Sequence, residues 1–413
     1  MLKKIKKGLA LSLVLAVMAM TFGGWSSAKS ASTVNLTLWG AQNDQVMLKK
    51  MVDTFKKANP KKTYNIKIGV CGEDVAKDTI LKDVDTAADV FAFASDQIAP
   101  LQSAGALMPI TINTKKIKAA NVPASVNAAS VGGQLYAYPS SSDTYFLYYD
   151  KKIYKDSDVK SLETMMAKKL SNGATNFAMN LSNGWYIASF FYASGAQLFG
   201  STGVDPTKCD FNSAKGLAAG NYIIDLVAQG AKFKDYGQNY DSSICQNFKD
   251  RKLGAAVSGT WNAAAIQKAL GKDYAATQLP TIKLNGKAVN MGSFANFKLY
   301  GVNSHSKYAA DAMALAEWLT NQGNQLVRFQ TRSFAPTNVA LAQHTQILNM
   351  NKAVGAVTKQ GKFATLQPSI KQMNNYWTPA AALGTSIENG KTTAATIQSD
   401  LDKLVKQILA TVQ

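Results

Sequence analysis

Val34-Asn35-Leu36-Thr37-Leu38 alternates apolar and polar residues, and Met47, Met51, Val52 and Phe55 then recur at helical spacing within Gln45 to Ala58, before Asn59-Pro60. The first pattern has the period of a half-buried strand and the second that of an amphipathic helix that proline stops. Asn43 and Asp44 stand where a cap for that helix is expected. Alternation returns at Ile66-Lys67-Ile68-Gly69-Val70, and Asp89-Val90-Phe91-Ala92-Phe93-Ala94 reads as a buried strand with Asp96 just past its end. Strand, helix and strand in this order predict an α/β layered domain.

Further along, Gln134-Leu135-Tyr136-Ala137-Tyr138-Pro139 reads as a strand ending in a turn, and Thr144–Tyr149 as extended chain. Residues 161–275 carry helical patterns broken by Gly184, Gly195, Gly200 and Gly216. Phe297–Val302 reads as a strand and Ala309–Asn321 as a helix. Ile397, Leu401, Leu404, Val405, Ile408, Leu409 and Val412 form one apolar helical stripe. A chain of 413 residues, 46% apolar, has material for two domains. No repeat and no Pro- or Ser-rich linker divides it, so a flexible tether between domains is not expected.

The formal charge is +19, carried almost wholly by lysine; Arg251, Arg328 and Arg332 are the only arginines. The lysines are scattered as pairs such as Lys49–Lys50 and Lys168–Lys169. Nucleic-acid readers favour arginine forks, so the pattern predicts a solvated basic surface and no nucleic-acid partner. Met1–Lys7 is basic, Gly8–Phe22 is apolar, and small residues follow Gly23–Gly24, which predicts a secretory signal peptide over residues 1–30 and an exported chain outside the membrane. Trp25 stands where a lipoprotein leader would carry its cysteine, so lipid anchoring by that route is not expected. The three cysteines form no CxxC; Cys209 and Cys245 pair in one reading and stay as thiols in the other. With two histidines and no GxSxG, HExxH, Walker A or GxGxxG motif, neither a metal site, a cofactor site nor a triad hydrolase is expected.

The segment Leu36-Thr37-Leu38-Trp39-Gly40, with its helix and Asn59-Pro60, resembles the start of family-1 extracellular solute-binding proteins, the substrate receptors of ATP-binding-cassette importers. Ala88-Asp89-Val90-Phe91-Ala92-Phe93-Ala94-Ser95-Asp96 is similar to the second block of their maltose/maltodextrin-binding branch. Gly133 to Pro139, Leu147 to Lys151, Gly254 to Trp261, Leu279-Pro280, Phe334-Ala335-Pro336 and Tyr376-Trp377 continue the series in order. The resemblance implies the two-lobe periplasmic-binding-protein fold with a hinge and an interlobe cleft. It places one lobe at 33–144 plus 290–345 and the other at 145–289 plus 346–413. It further implies a monomer that takes a maltodextrin-type oligosaccharide, hands it to ABC permease subunits and performs no covalent chemistry.

A pyranose offers an apolar C–H face to aromatic rings and a rim of hydroxyls to carboxylates and amides. By the resemblance, Trp185, Trp261 and Trp377 are the stacking platforms, and Phe93 and Tyr138 line the opposite wall. Asp96 and Asp143, past strand ends where open α/β sheets bind ligands, accept hydroxyl hydrogen bonds. Gln42, Asn43 and Asp44 supply a polar contact in the first strand–helix turn. The chain departs from the branch at Gln97, Ala263 and Thr378, where an arginine and two aromatics are usual, and in lacking a basic residue in the first turn. These departures leave room for longer chains, another oligosaccharide or a glycerol-phosphate conjugate. A secreted glycosidase, needing only two carboxylates, and a basic envelope-binding protein remain as readings of other classes.

Overall fold

The computed structural model describes residues 33–171, 173–230, 239–344 and 351–412. The expected signal peptide and the expected lobe boundary at 345/346 lie outside the described residues. β1 (Thr33–Gly40) leads into a short turn and α1 (Gln45–Ala58), followed by β2 (Thr63–Val70) and β3 (Val90–Ala94). β1 pairs in parallel with both β2 and β3, as strand–helix–strand connections require. Met47, Met51, Val52 and Phe55 form the buried face of α1.

The chain then runs through β4 (Ala137–Asp143) and β5 (Tyr145–Asp150), which belong to different sheets. The expected turn at Pro139 is not there. β4 continues to Asp143, and the register slips opposite Lys298/Leu299, so that Ser140 is the extra residue beside a proline that has no N–H to give. β6 (Thr175–Ala178), α2 (Gly184–Ala193), α3 (Tyr240–Lys249), β7 (Leu253–Gly259) and β8 (Tyr274–Thr277) build the second half. β9 (Ser293–Val302) returns to the first, followed by α4 (Ala309–Thr320), α5 (Gln322–Arg332) and β10 (Ala335–Pro336). β11 (Ala364–Leu366), α6 (Asn374–Glu388) and α7 (Ile397–Ile408) close the chain.

The larger sheet has the order β10-β4-β9-β3-β1-β2, with β11 paired to β9; the smaller has β8-β5-β7-β6. Each carries its own core. One cluster joins Leu36, Phe55, Phe91, Leu299 and Leu315 around the larger sheet. Another joins Leu147, Phe177, Phe190, Ile223, Tyr376 and Leu401 around the smaller. The close seating of α6 depends on Gly384, where a Cβ would lie 1.8 Å from the Leu181 carbonyl oxygen. Cys71, Cys209 and Cys245 are all free thiols. No helix among the described residues is long and apolar enough to cross a membrane.

Among the described residues the chain passes between the two sheets at Thr144 and at Met291–Ser293, and β11 pairs in parallel with the start of β9 beside the second of these. The Thr144 hydroxyl lies 2.9 Å from Ser293 Oγ and donates to the Phe294 carbonyl at 2.7 Å. The fully buried Gln360 amide bonds Ser293 Oγ and the Met291 carbonyl, and its carbonyl accepts from Leu279 N–H. Buried polar groups need such partners, and here the partners fix the crossing geometry.

Three expected site residues are withdrawn into these cores. Phe93 is fully buried because β3 is a central strand covered on both faces, and Tyr138 lies in the same cluster. Neither lines a cleft wall. Asp44 stands at the N-cap position of α1 but makes no side-chain cap bond there, and it is not among the residues lining the cleft. Its carboxylate is 1% exposed and accepts from Arg332 at 2.7 Å and Arg328 at 3.3 Å, while Arg328 also donates to the Tyr300 hydroxyl. A buried carboxylate is tolerable only with such partners, and removing it strands two cations. Asp44→Ala is expected to cost about 3–5 kcal/mol in urea unfolding.

Candidate functional site

Between the two sheets lies a cavity of about 550 Å³. Glu73, Asp74, Asp96, Asp143, Asn296 and Lys298 line it from the larger-sheet half. Trp185, Trp261, Trp377, Asn183 and Asp241 line it from the other, and Gln367 from the end of β11. Five expected residues, Trp185, Trp261, Trp377, Asp96 and Asp143, thus converge. Gln42 and Asn43 are exposed in the first turn and, with Asp44, Phe93 and Tyr138, lie outside this lining.

The tryptophans sit at helix starts. Trp185 is the second residue of α2, its N–H held by the Asn183 cap at 2.8 Å. Its ring stacks on Phe294 at 5.3 Å and 18°, and meets Tyr145 edge-on at 5.5 Å. Trp377, in the first turn of α6, packs against Phe294 and Tyr376. Trp261 folds back over Gly259, where a Cβ would lie 1.8 Å from its ring, and its Nε1–H donates to Asp241 Oδ2 at 3.0 Å. Asp241 Oδ1 accepts from the Ser258 hydroxyl at 3.0 Å. All three indoles are half-buried, each with one part fixed by the protein and the rest open.

Facing them is a polar floor. Asn296 is its organiser: Oδ1 accepts from Ser95 N–H and Oγ, and Nδ2 donates to Asp96 Oδ1 at 3.1 Å and Gln367 Oε1 at 2.5 Å. Gln97, in place of the usual arginine, donates to the Glu73 and Asp74 carbonyls and accepts from Lys77 N–H, so it shapes the loop carrying two carboxylates. Lys298 Nζ lies 3.7 Å from Glu73 and 4.3 Å from the centre of the Phe334 ring. Burial works against its ammonium, but the fields of Glu73, Asp143 and Asp44 raise its pKa nonetheless. Burial raises Asp96, with the Asn296 bond opposing. Burial also lifts Asp143 to about 6, against the pull of Lys298. Its Oδ1 is buried without a hydrogen-bond partner among the described residues.

Glu73, Asp74, Asn183, Asp241, Asn296, Lys298 and Gln367 were not singled out from sequence. Two of them had a signal: in Phe294-Ala295-Asn296-Phe297-Lys298-Leu299-Tyr300, strand alternation puts Asn296 and Lys298 on one face with Phe294 and Tyr300, an odd place for charge unless it is used.

Half-buried aromatic platforms opposite fixed acceptors suit a molecule with apolar faces and hydroxyl edges. A sequence profile of bacterial extracellular solute-binding proteins matches residues 50–356. The chain belongs to this family. A galactooligosaccharide-binding protein of Bacillus subtilis is 29% identical over 89% of this chain and 87% of its own length. A maltodextrin-binding protein of the same organism is 24% identical over 98% and 97%. The structure of a maltodextrin-binding protein from L. casei, determined without ligand, superposes with a TM-score of 0.81 at 30% identity, covering 92% of this chain and all of that one. The family's two-lobe α/β architecture is therefore that of this protein.

Two outcomes test the site's construction. In Gly259→Ala the Trp261 indole must move off Asp241, so the near-ultraviolet circular dichroism changes while the far-ultraviolet spectrum does not. For Asp143, a folded pKa of about 6 against an ordinary 3.8 means the native state holds the proton more tightly. Its stabilising contribution is full below pH 3.8 and lost as pH rises through about 6. Asp143→Asn lacks this loss, so its stability relative to the unaltered chain rises between pH 4 and 7 in urea titrations.

Proposed function

We propose that the chain is the exported, monomeric substrate-binding component of an ABC sugar importer, taking a maltodextrin-type oligosaccharide between its lobes and delivering it to the permease. The observation that carries the reading is the set of three half-buried tryptophans opposite Asp96, Asp143 and Asn296 in one cleft. Pyranose rings stack on the indoles while the carboxylates and amides take hydroxyl hydrogen bonds. We assign the lobes to 33–144 plus 290–345 and 145–289 plus 346–413. Contacts to both lobes give the closed form its higher affinity for sugar, and closure presents a surface to the permease. The reading includes no covalent step; the carboxylates serve as acceptors.

A galactooligosaccharide is the second reading, favoured by the Bacillus subtilis relative at 29% identity. Calorimetric titration with maltose, maltotriose, longer maltodextrins and galactooligosaccharides separates the two. Saturable binding of the α-glucans, weakened about tenfold or more in Trp377→Ala, is the expected result. Binding of the galactosides alone replaces the maltodextrin reading. Reducing-sugar release during the titration would point to a glycosidase instead.

A further inference from the structure

The chain has a formal charge of +19, yet the cleft is lined by five carboxylates, Glu73, Asp74, Asp96, Asp143 and Asp241, and by one cation among the described residues. That cation is already engaged: Lys298 lies between Glu73 and the Phe334 ring, with 15% of its side chain exposed. Lys77, beside the same loop, is engaged too, with its ammonium 3.3 Å from Asp78 and donating at 3.1 Å to Asn374. Among the described residues no arginine lines the cleft: Arg328 and Arg332 both bind Asp44, and Arg251 binds Asp150 and Asp273. The acids are in different states. Asp96 and Asp241 receive donors from the protein, whereas the buried Asp143 Oδ1 has none among the described residues. That atom calls for a donor from the ligand. A hydroxyl supplies one; an ionised carboxylate supplies none and adds a like charge.

We propose that the cleft is a charge filter, admitting uncharged oligosaccharides and turning away those that carry a carboxylate or phosphate. The inference rests on the glycan-binding reading above and narrows it, since glycerol-phosphate conjugates fall on the refused side. The basic surface does not offset the filter: exposed charges beyond about 8 Å are largely screened at physiological salt, whereas the cleft acids act at contact range in a partly desolvated space.

The test is calorimetry on the full chain with maltotriose, its alditol maltotriitol and its aldonate maltotrionate, or the matching galactoside set. Alditol and aldonate share the opened terminal residue and differ in the charged end group. The aldonate is expected to bind about tenfold or more weakly than the alditol at low salt, with the gap shrinking as salt rises. In Glu73→Gln, which removes one negative charge and releases Lys298, the gap narrows to within about threefold. Aldonate binding equal to or tighter than alditol binding overturns the filter and leaves the glycan reading standing. A gap unchanged in Glu73→Gln overturns its assignment to this cluster. Failure of every neutral oligosaccharide to bind overturns the glycan reading itself.

Discussion

The side chain of Asn296 is where the two halves and the cleft are tied together. It sits on β9, whose first residues pack in the core around the smaller sheet and whose later residues pack in the core around the larger. From there one amide fixes Ser95 and Asp96 at the end of β3 and Gln367 just after β11. An amide has two acceptor lone pairs and two donors, and here its oxygen and nitrogen are both used. No apolar residue of the same volume does this, because packing alone does not fix the direction of a carboxylate. Asp96 faces the cleft at a defined angle because Asn296 holds one of its oxygens.

The same economy governs the other wall. Phe294, two residues before Asn296, is fully buried and in contact with Trp185, Trp377, Tyr192 and Tyr376. Aromatic contacts of this kind leave each indole little freedom, so stacking surfaces are in place before a ligand arrives and less rotamer entropy is lost on binding. Trp261 is fixed differently, by a glycine that leaves room for its ring and a carboxylate that takes its N–H. Strand β9 therefore presents an aromatic support on one side of the crossing and a polar organiser on the other.

Charge is distributed with a similar division. The chain as a whole is basic, while the cleft where the sheets face each other is lined by five carboxylates and one lysine among the described residues. Burial raises Asp96, Asp143 and Asp241, which records the cost of placing a charge in a space partly closed to water. Lys298 offsets part of that cost. Asp44, Arg328 and Arg332 form a separate ionic cluster whose task is to hold the first turn, α1 and α5 together.

Much of the fold was legible along the chain because local periodicity carries it. β1 and α1 lie where alternation and helical spacing put them, with α1 spanning Gln45–Ala58 as read, and Ile397, Leu401, Leu404, Val405 and Ile408 of the C-terminal stripe became the buried face of α7, while Leu409 and Val412 fall past its end and are only partly buried. The family motifs were legible too, and their order in the sequence pointed to the two-lobe architecture. The cleft was legible in part. Tryptophans and aspartates at element ends were visible, since ends of strands and starts of helices can be read locally. What only the tertiary structure decided was which side chains face the cleft and which face a core. Phe93 and Asp96 are three residues apart, yet one is sealed between two layers and the other borders open space. Asp44 reads as a turn residue until α5 brings two arginines to it from more than 280 positions away. Burial and charge pairing are properties of approach between distant segments, and a sequence read locally contains the groups but not their distances.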